Sequence, residues 1–103
     1  MVDLDDVFYR LDARSILLKS YYELDDTDAL HYHATAFRSM LNRNREISDH
    51  QRTLYLNLIK NTLALTKVGG EQSKLRMIEN RVKANPNVAD LSWFEQKIED
   101  LKA

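Results

Sequence analysis

The residues most suited to metal binding are the histidines, of which His31 and His33 lie two positions apart and His50 lies alone. Zinc on a helix is bound by ligands four residues apart, because that spacing places both imidazoles on one face. A spacing of two turns them about 200° apart. The chain has no cysteine, so it offers no thiolate ligand. We expect His31 in solvent, His33 beside the helix core, and no metal or other cofactor.

Three aspartates, Asp25, Asp26 and Asp28, resemble the first ligands of a calcium-binding loop. Such a loop also needs a glycine at its turn and a glutamate at its twelfth position, which here is Ala36. Carboxylates before a helix accept hydrogen bonds from its free N–H groups and favour the positive end of its dipole. We therefore expect Asp26 or Thr27 to cap the following helix.

Arginines are concentrated near the middle of the chain, where a nucleic-acid-binding protein would need a basic face. Glu46 and Asp49 interrupt the cluster, and the formal net charge of the chain is −1 at pH 7. Phosphate binding depends on excess positive charge, so nucleic acid is the least favoured of three possible partners. We expect solvated helix ends at the four arginines, Arg38, Arg43, Arg45 and Arg52.

Catalytic motifs are missing from the sequence. It has no cysteine nucleophile, no glycine-rich phosphate loop and no Glu-x-x-His motif. A small helical bundle also rarely encloses the concave pocket that an enzyme needs. The sequence therefore predicts a protein that is not an enzyme.

The aromatic residues favour protein binding instead. The chain contains five tyrosines and one tryptophan. Exposed Tyr, Trp and Arg dominate protein interfaces, although a buried ring with its hydroxyl in solvent is the commoner arrangement of tyrosine. The candidate interface residues are Phe8, Tyr22, Tyr32 and Trp93.

Composition predicts that these residues are carried by long helices with short joints. The 103 residues include only two glycines and one proline, the residue types that most often interrupt helices and strands. Abundant Leu, Lys, Glu, Arg and Ala favour helix over sheet. No run of about 18 apolar residues could span a membrane. The acidic amino terminus is unlike a secretion signal, and the missing cysteines suit the reducing cytoplasm.

Apolar spacing predicts five helices, at about 12–24, 28–45, 48–68, 71–84 and 90–101. Residues 3–9 are predicted to be either the end of a preceding helix or a lead-in turn, and Asp12 is the predicted N-cap of the first full helix. The apolar residues of that helix lie on more than one face, which indicates contacts on two sides. About three residues join it to the next helix, so the two should form an antiparallel hairpin.

Capping signals mark several of the remaining boundaries. Ser48 and Gln51 have the spacing of a capping box, and Gly69 with Gly70 should end the helix that follows. Ser92 and Glu95 have the same spacing, so the last helix could instead begin one turn later. The clearest apolar stripe belongs to the helix at 28–45 and comprises Leu30, Ala34, Phe37 and Leu41.

Two residue pairs, Tyr21 with Tyr55 and Leu24 with Leu58, are 34 residues apart, which is the period of tetratricopeptide (TPR) repeats. Few other positions align at that offset. A more extensive signal comes from the segments at 11–24, 28–30, 36–38, 47–48, 52–57 and 93–101, with Asn44. These segments resemble a family of bacterial TPR-like proteins. The resemblance implies the C-terminal part of a longer helical-repeat protein and no known activity.

We therefore expect one all-α domain over residues 1–103, built of antiparallel helical hairpins stacked as a TPR-like superhelix or bundle. The expected function is non-catalytic protein–protein interaction or scaffolding in the cytoplasm. The partner would be another protein, or missing N-terminal repeats of the same chain. Self-association as a homodimer is the first alternative, and nucleic-acid binding is the second.

Overall fold

The computed structural model describes the backbone from Leu4 to Ala103 and the side chains from Asp6 onward. Over these residues the chain forms five α-helices and no strand, which confirms the predicted all-α fold of about five helices. The helices are α1 (Leu4–Glu23), α2 (Thr27–Arg43), α3 (Asp49–Leu65), α4 (Gln72–Ala84) and α5 (Leu91–Leu101). The fold has two compact units, of which the first ends at Arg52 and the second comprises Thr53–Ala103.

Helix α1 is continuous from Leu4 to Glu23, so the predicted break before a helix starting at Asp12 is wrong. Asp12 lies exposed inside the helix instead of capping it. Val7, Leu11 and Leu18 are buried at spacings of four and seven residues, one face of a helix that runs through the predicted break. Burial of that face outweighs the weak local preference of a single aspartate for an N-cap position.

Helices α1 and α2 form the predicted antiparallel hairpin, joined by three residues. Asp25 in this turn adopts the left-handed conformation with φ 56°, which aspartate tolerates better than most residues. Asp26 then caps α2, because its carboxylate accepts a hydrogen bond of 3.1 Å from the backbone N–H of Ala29. The predicted cap of α2 by Asp26 is therefore confirmed.

Helix α2 buries the predicted stripe, since Leu30, Ala34, Phe37 and Leu41 are each at most 1% exposed. It ends at Arg43, two residues before the predicted end. Ser48 then caps α3, as predicted, because its hydroxyl accepts a hydrogen bond of 3.1 Å from the N–H of Gln51. The core of the first unit thus lies along the contact between α1 and α2.

The second unit contains most of α3, together with α4 and α5. Its buried apolar residues include Leu58, Ile59, Leu75, Ile78, Val82, Phe94 and Ile98. Helix α3 ends at Leu65 rather than at the predicted Val68, and left-handed Gly69 (φ 55°) and Gly70 (φ 83°) follow it. Helix α5 begins at Leu91, so the alternative start near Ser92 is wrong.

Leu24 and Leu58, which lie 34 residues apart, have different environments in the fold. Leu24 follows α1 and is 73% exposed, whereas Leu58 lies inside α3 and is fully buried. The two leucines are therefore not equivalent positions of a repeat.

Candidate functional site

Helix α1 carries a second apolar face opposite its buried one. Nine residues separate Val7 from Ile16 and also Tyr9 from Leu18, and nine residues correspond to about 180° around a helix. Val7 and Leu18 are buried, so Tyr9 and Ile16 point away from the core. We call this surface the outer face of α1, and define it as Tyr9, Ile16, Leu17 and Leu24.

The outer face is large for a surface so poor in polar side chains. Tyr9, Ile16, Leu17 and Leu24 are 76%, 58%, 43% and 73% exposed. Leu24 extends the face beyond the last helical residue, because its N–H still bonds to the carbonyl of Ser20 at 2.9 Å. If a fully exposed large side chain presents about 200 Å², the four together expose roughly 500 Å². Patches of that size on single-chain proteins are commonly binding sites.

The inner face of α1 is held against α2 by polar as well as apolar contacts. His33 is only 7% exposed, and its Nε2 lies 2.8 Å from the carbonyl oxygen of Arg14 on α1. A carbonyl only accepts, so Nε2 carries the proton and donates it. The His33 ring also lies 5.8 Å from the rings of Tyr21 and Phe37. The sequence predicted contacts on two sides of the helix at 12–24. Among the described residues of the first unit, the contacts of α1 are with α2.

The positions of His31 and His33 agree with the prediction made from their spacing. His31 is exposed and His33 is buried beside the core, as the spacing of two required. Within the described part of the chain, no group of three His, Cys, Asp or Glu side chains could hold a metal ion. His33 therefore has a structural role, as a link between α1 and α2.

Three of the four candidate interface residues lie in the first unit and one lies in the second. Phe8 and Tyr22 both lie on α1, but about 21 Å apart along its axis. Phe8 is 47% exposed, whereas Tyr22 is half-buried. Tyr32 is 82% exposed on α2. Trp93 lies in the second unit, where it is half-buried and the ammonium of Lys97 lies 5.8 Å from its ring centre.

Sequence reasoning missed the exposed face of α1 because it expected the helix at 12–24 to be contacted on two sides. Ile16, Leu17 and Leu24 are typical core residues by type, and burial of two sides was predicted for their helix. The nine-residue spacings from Val7 to Ile16 and from Tyr9 to Leu18 are the signal that could have placed Tyr9 and Ile16 opposite the buried face. Each apolar stripe of a helix is buried only where another helix packs against it.

One member of the arginine cluster is part of the fold. The guanidinium of Arg52 donates hydrogen bonds to the backbone carbonyls of Leu41, Asn44 (3.3 Å) and Ile47 (2.9 Å). These carbonyls lie at the end of α2 and in the loop before α3, where no intrahelical N–H reaches them. The planar fork of arginine suits several acceptors at once. Arg52 therefore stabilises the loop between α2 and α3. Arg38 and Arg45, by contrast, are exposed.

The strongest electrostatic cluster lies at the end of α5. The ammonium of Lys102 is 2.7 Å from a carboxylate oxygen of Glu79 on α4 and 2.7 Å from one of Glu99 on α5. The hydrogen bond from Lys102 lowers the pKa of Glu79. The bonds to Glu79 and Glu99 in turn raise the pKa of Lys102. These ion pairs link α4 to the C-terminal end of α5, which is a structural role.

The chain matches no protein-family model, no curated protein and no solved structure. None of the helices in the described residues is both long and apolar enough to cross a membrane.

Proposed function

We propose that this chain is a non-catalytic, TPR-like helical domain of the bacterial cytoplasm that binds protein through the outer face of α1. The observation that carries the proposal is the outer face itself, whose four large apolar side chains extend over about 22 Å. The short turn and antiparallel packing of α1 and α2 support the TPR-like description, since TPR units are such hairpins. Exposed apolar area of this size is what a helix of a partner would cover.

The area of the outer face sets the expected strength of binding. Burying roughly 500 Å² of apolar surface is worth about 12 kcal/mol before the costs of association. Those costs are about 4–15 kcal/mol, so only a modest net affinity remains. A stable complex usually buries about 800 Å² on each partner. We therefore expect a transient complex, or one in which neighbouring residues such as Phe8 add contact area.

Two occupants fit this surface: a helix of another protein, and a preceding repeat of a longer chain. A photo-crosslinking amino acid at position 16, in the full-length protein and its native host, distinguishes them by mass spectrometry. An adduct with a second protein identifies a partner, and an internal crosslink identifies a preceding repeat. The control places the same amino acid at Arg38, which is exposed on α2. The proposal fails if position 16 gives no crosslink, or the same products as position 38.

Self-association is a second candidate because the outer face is self-complementary. If two copies of α1 pack antiparallel about a two-fold axis, Ile16 of one copy lies opposite Leu17 of the other. The same register places Tyr9 opposite Leu24, and Ala13 opposite Ser20, so large residues meet large ones and small residues meet small ones. Two-fold interfaces require such matching of one patch with itself.

Light scattering across a concentration series tests this candidate. The paired faces would bury roughly 1,000 Å² in total, at the low end of specific interfaces, so we expect a weak dimer. Ile16→Glu should leave only monomer, because it places a charge at the centre of the seam. Met77→Glu is the matched control, since Met77 is an apolar residue of the second unit that is more exposed than Ile16. A wild-type protein that stays monomeric at millimolar concentration would exclude the homodimer.

A further inference from the structure

The second unit contains an open groove of its own. It has a volume of about 620 Å³ and lies between the end of α3 and one side of α4. We call it the α3–α4 groove. Its lining residues are Ala64, Lys67, Lys74, Met77, Ile78, Asn80 and Arg81.

Met77 makes the groove apolar at its centre. The side chain of Met77 is 72% exposed, and the neighbouring Ile78 is 7% exposed and joins the groove to the core. Methionine is flexible and polarisable, which lets it adapt to different apolar side chains. An exposed methionine on a helix surface is therefore a suitable contact for a partner helix.

The edge of the groove is positively charged. Its charged lining residues are Lys67, Lys74 and Arg81, and none of the lining side chains in the described part of the chain is acidic. Arg81 donates from Nε and Nη2 to Oδ1 of Asn61, at 3.0 and 2.7 Å. Because Asn61 is neutral, these bonds orient the guanidinium without neutralising its charge.

The two lysines also remain available for an anionic partner. Lys74 lies 3.4 Å from Glu71, but both side chains are more than half exposed, and such surface pairs contribute little. Lys67 forms no ion pair within the described residues, and it lies on the α3 side of the groove. The groove thus presents positive charge on both of its sides.

The order of residues along α4 defines the partner more closely. Lys74, Met77, Ile78 and Arg81 follow the pattern basic-x-x-apolar-apolar-x-x-basic. Residues seven apart lie on the same side of a helix, about 10 Å from each other. A helix packed along α4 matches this pattern if it carries acidic-x-x-apolar-apolar-x-x-acidic. Its apolar pair would contact Met77, and its two acids would meet Lys74 and Arg81.

We propose that the α3–α4 groove binds an acidic amphipathic helix of another protein, with acidic residues seven positions apart on either side of an apolar pair. The complementarity of charge with the three cationic residues favours this occupant. An anionic membrane is the less suitable occupant, because a membrane-bound helix needs a broad apolar face, whereas Met77 is the one large, highly exposed apolar side chain among the residues that line the groove. The chain as a whole also carries a net charge of −1.

Peptide selection tests the proposal without a known partner. A display library of random 16-residue helical peptides is selected on the wild-type chain and then depleted on Met77→Glu. Selected peptides are expected to carry two acids seven positions apart around an apolar pair. In fluorescence anisotropy they should bind Met77→Glu and Lys67→Glu at least tenfold more weakly than wild type. Replacing both acids of the peptide by glutamine should have a similar effect.

The controls separate this proposal from the one made for the outer face. Ile16→Glu should bind the selected peptides as wild type does, because Ile16 lies in the first unit. Circular dichroism should show unchanged helix content in Met77→Glu, whose substituted side chain is exposed in the wild type. The proposal is overturned if no selected peptide depends on Met77, or if Met77-dependent peptides lack the paired acids. Met77-dependent binding to phosphatidylserine vesicles without such peptides would assign the groove to lipid instead.

Discussion

Replacing Arg52 by alanine measures how strongly one side chain holds the loop between α2 and α3. The substitution removes a charged donor from the carbonyls of Leu41, Asn44 and Ile47. A hydrogen bond to a charged group contributes about 1.5–3 kcal/mol when it is well shielded. The Arg52 side chain is 22% exposed, so water can replace part of what is lost. We therefore expect the free energy of unfolding to fall by about 2–3 kcal/mol, less than the full value of three bonds.

Urea unfolding followed by circular dichroism is the direct assay. Arg52→Lys should lose an intermediate amount, because an ammonium keeps the charge but lacks the planar fork that reaches several carbonyls. Arg45→Ala is the matched control: Arg45 is exposed, and its removal should change the free energy of unfolding by less than about 0.5 kcal/mol. The reasoning is refuted if Arg52→Ala is as stable as Arg45→Ala.

Three further substitutions test the core and the ion pairs. Phe37→Ala should lower the free energy of unfolding by about 3–5 kcal/mol in urea, because Phe37 is fully buried; a loss below about 1 kcal/mol would contradict its place in the core. Thr62→Val should raise it by up to about 1 kcal/mol, because the Thr62 hydroxyl is buried without a partner in the described residues; a clear loss would reveal a hidden hydrogen bond. Glu79→Gln should flatten the dependence of the thermal midpoint on acid pH. Lys102 lowers the folded-state pKa of Glu79 below its ordinary value of 4.5, so its stabilisation is complete above that pH and lost as the pH falls through the lowered pKa. An unchanged pH profile would show that this ion pair contributes nothing.

Local signals in the sequence were reliable where neighbouring residues alone decide the structure. The cap of α2 by Asp26, the cap of α3 by Ser48 and the glycines after α3 all depend on residues within about four positions. The apolar stripe of α2 was equally clear, because its spacing fits one helical face without ambiguity. The number of helices and the α1–α2 hairpin follow from the same local information.

The continuity of α1 and the role of Arg52 could not be derived in this way. Aspartate is a common N-cap residue, so Asp12 looked like the start of a helix. The burial of Val7 and Leu11 on one face of α1 shows that the helix continues through Asp12. Arg52 resembled a solvated basic residue, but its acceptors lie 5–11 residues earlier in the chain. Which backbone carbonyls Arg52 reaches depends on the path of the loop between α2 and α3, and that path is a property of the folded chain.

Sequence patterns alone were thus enough to predict an all-α chain of five helices with several of its turns, and apolar residues on more than one face of the segment 12–24. Which face of α1 is buried became clear from the fold, in which Val7, Leu11 and Leu18 are buried and Tyr9 and Ile16 are exposed. The α3–α4 groove also became visible only in the fold, because its cationic edge brings Lys67 together with Lys74 and Arg81 of α4. The physical reason is that periodicity records which residues are apolar, whereas burial depends on which surfaces other helices reach.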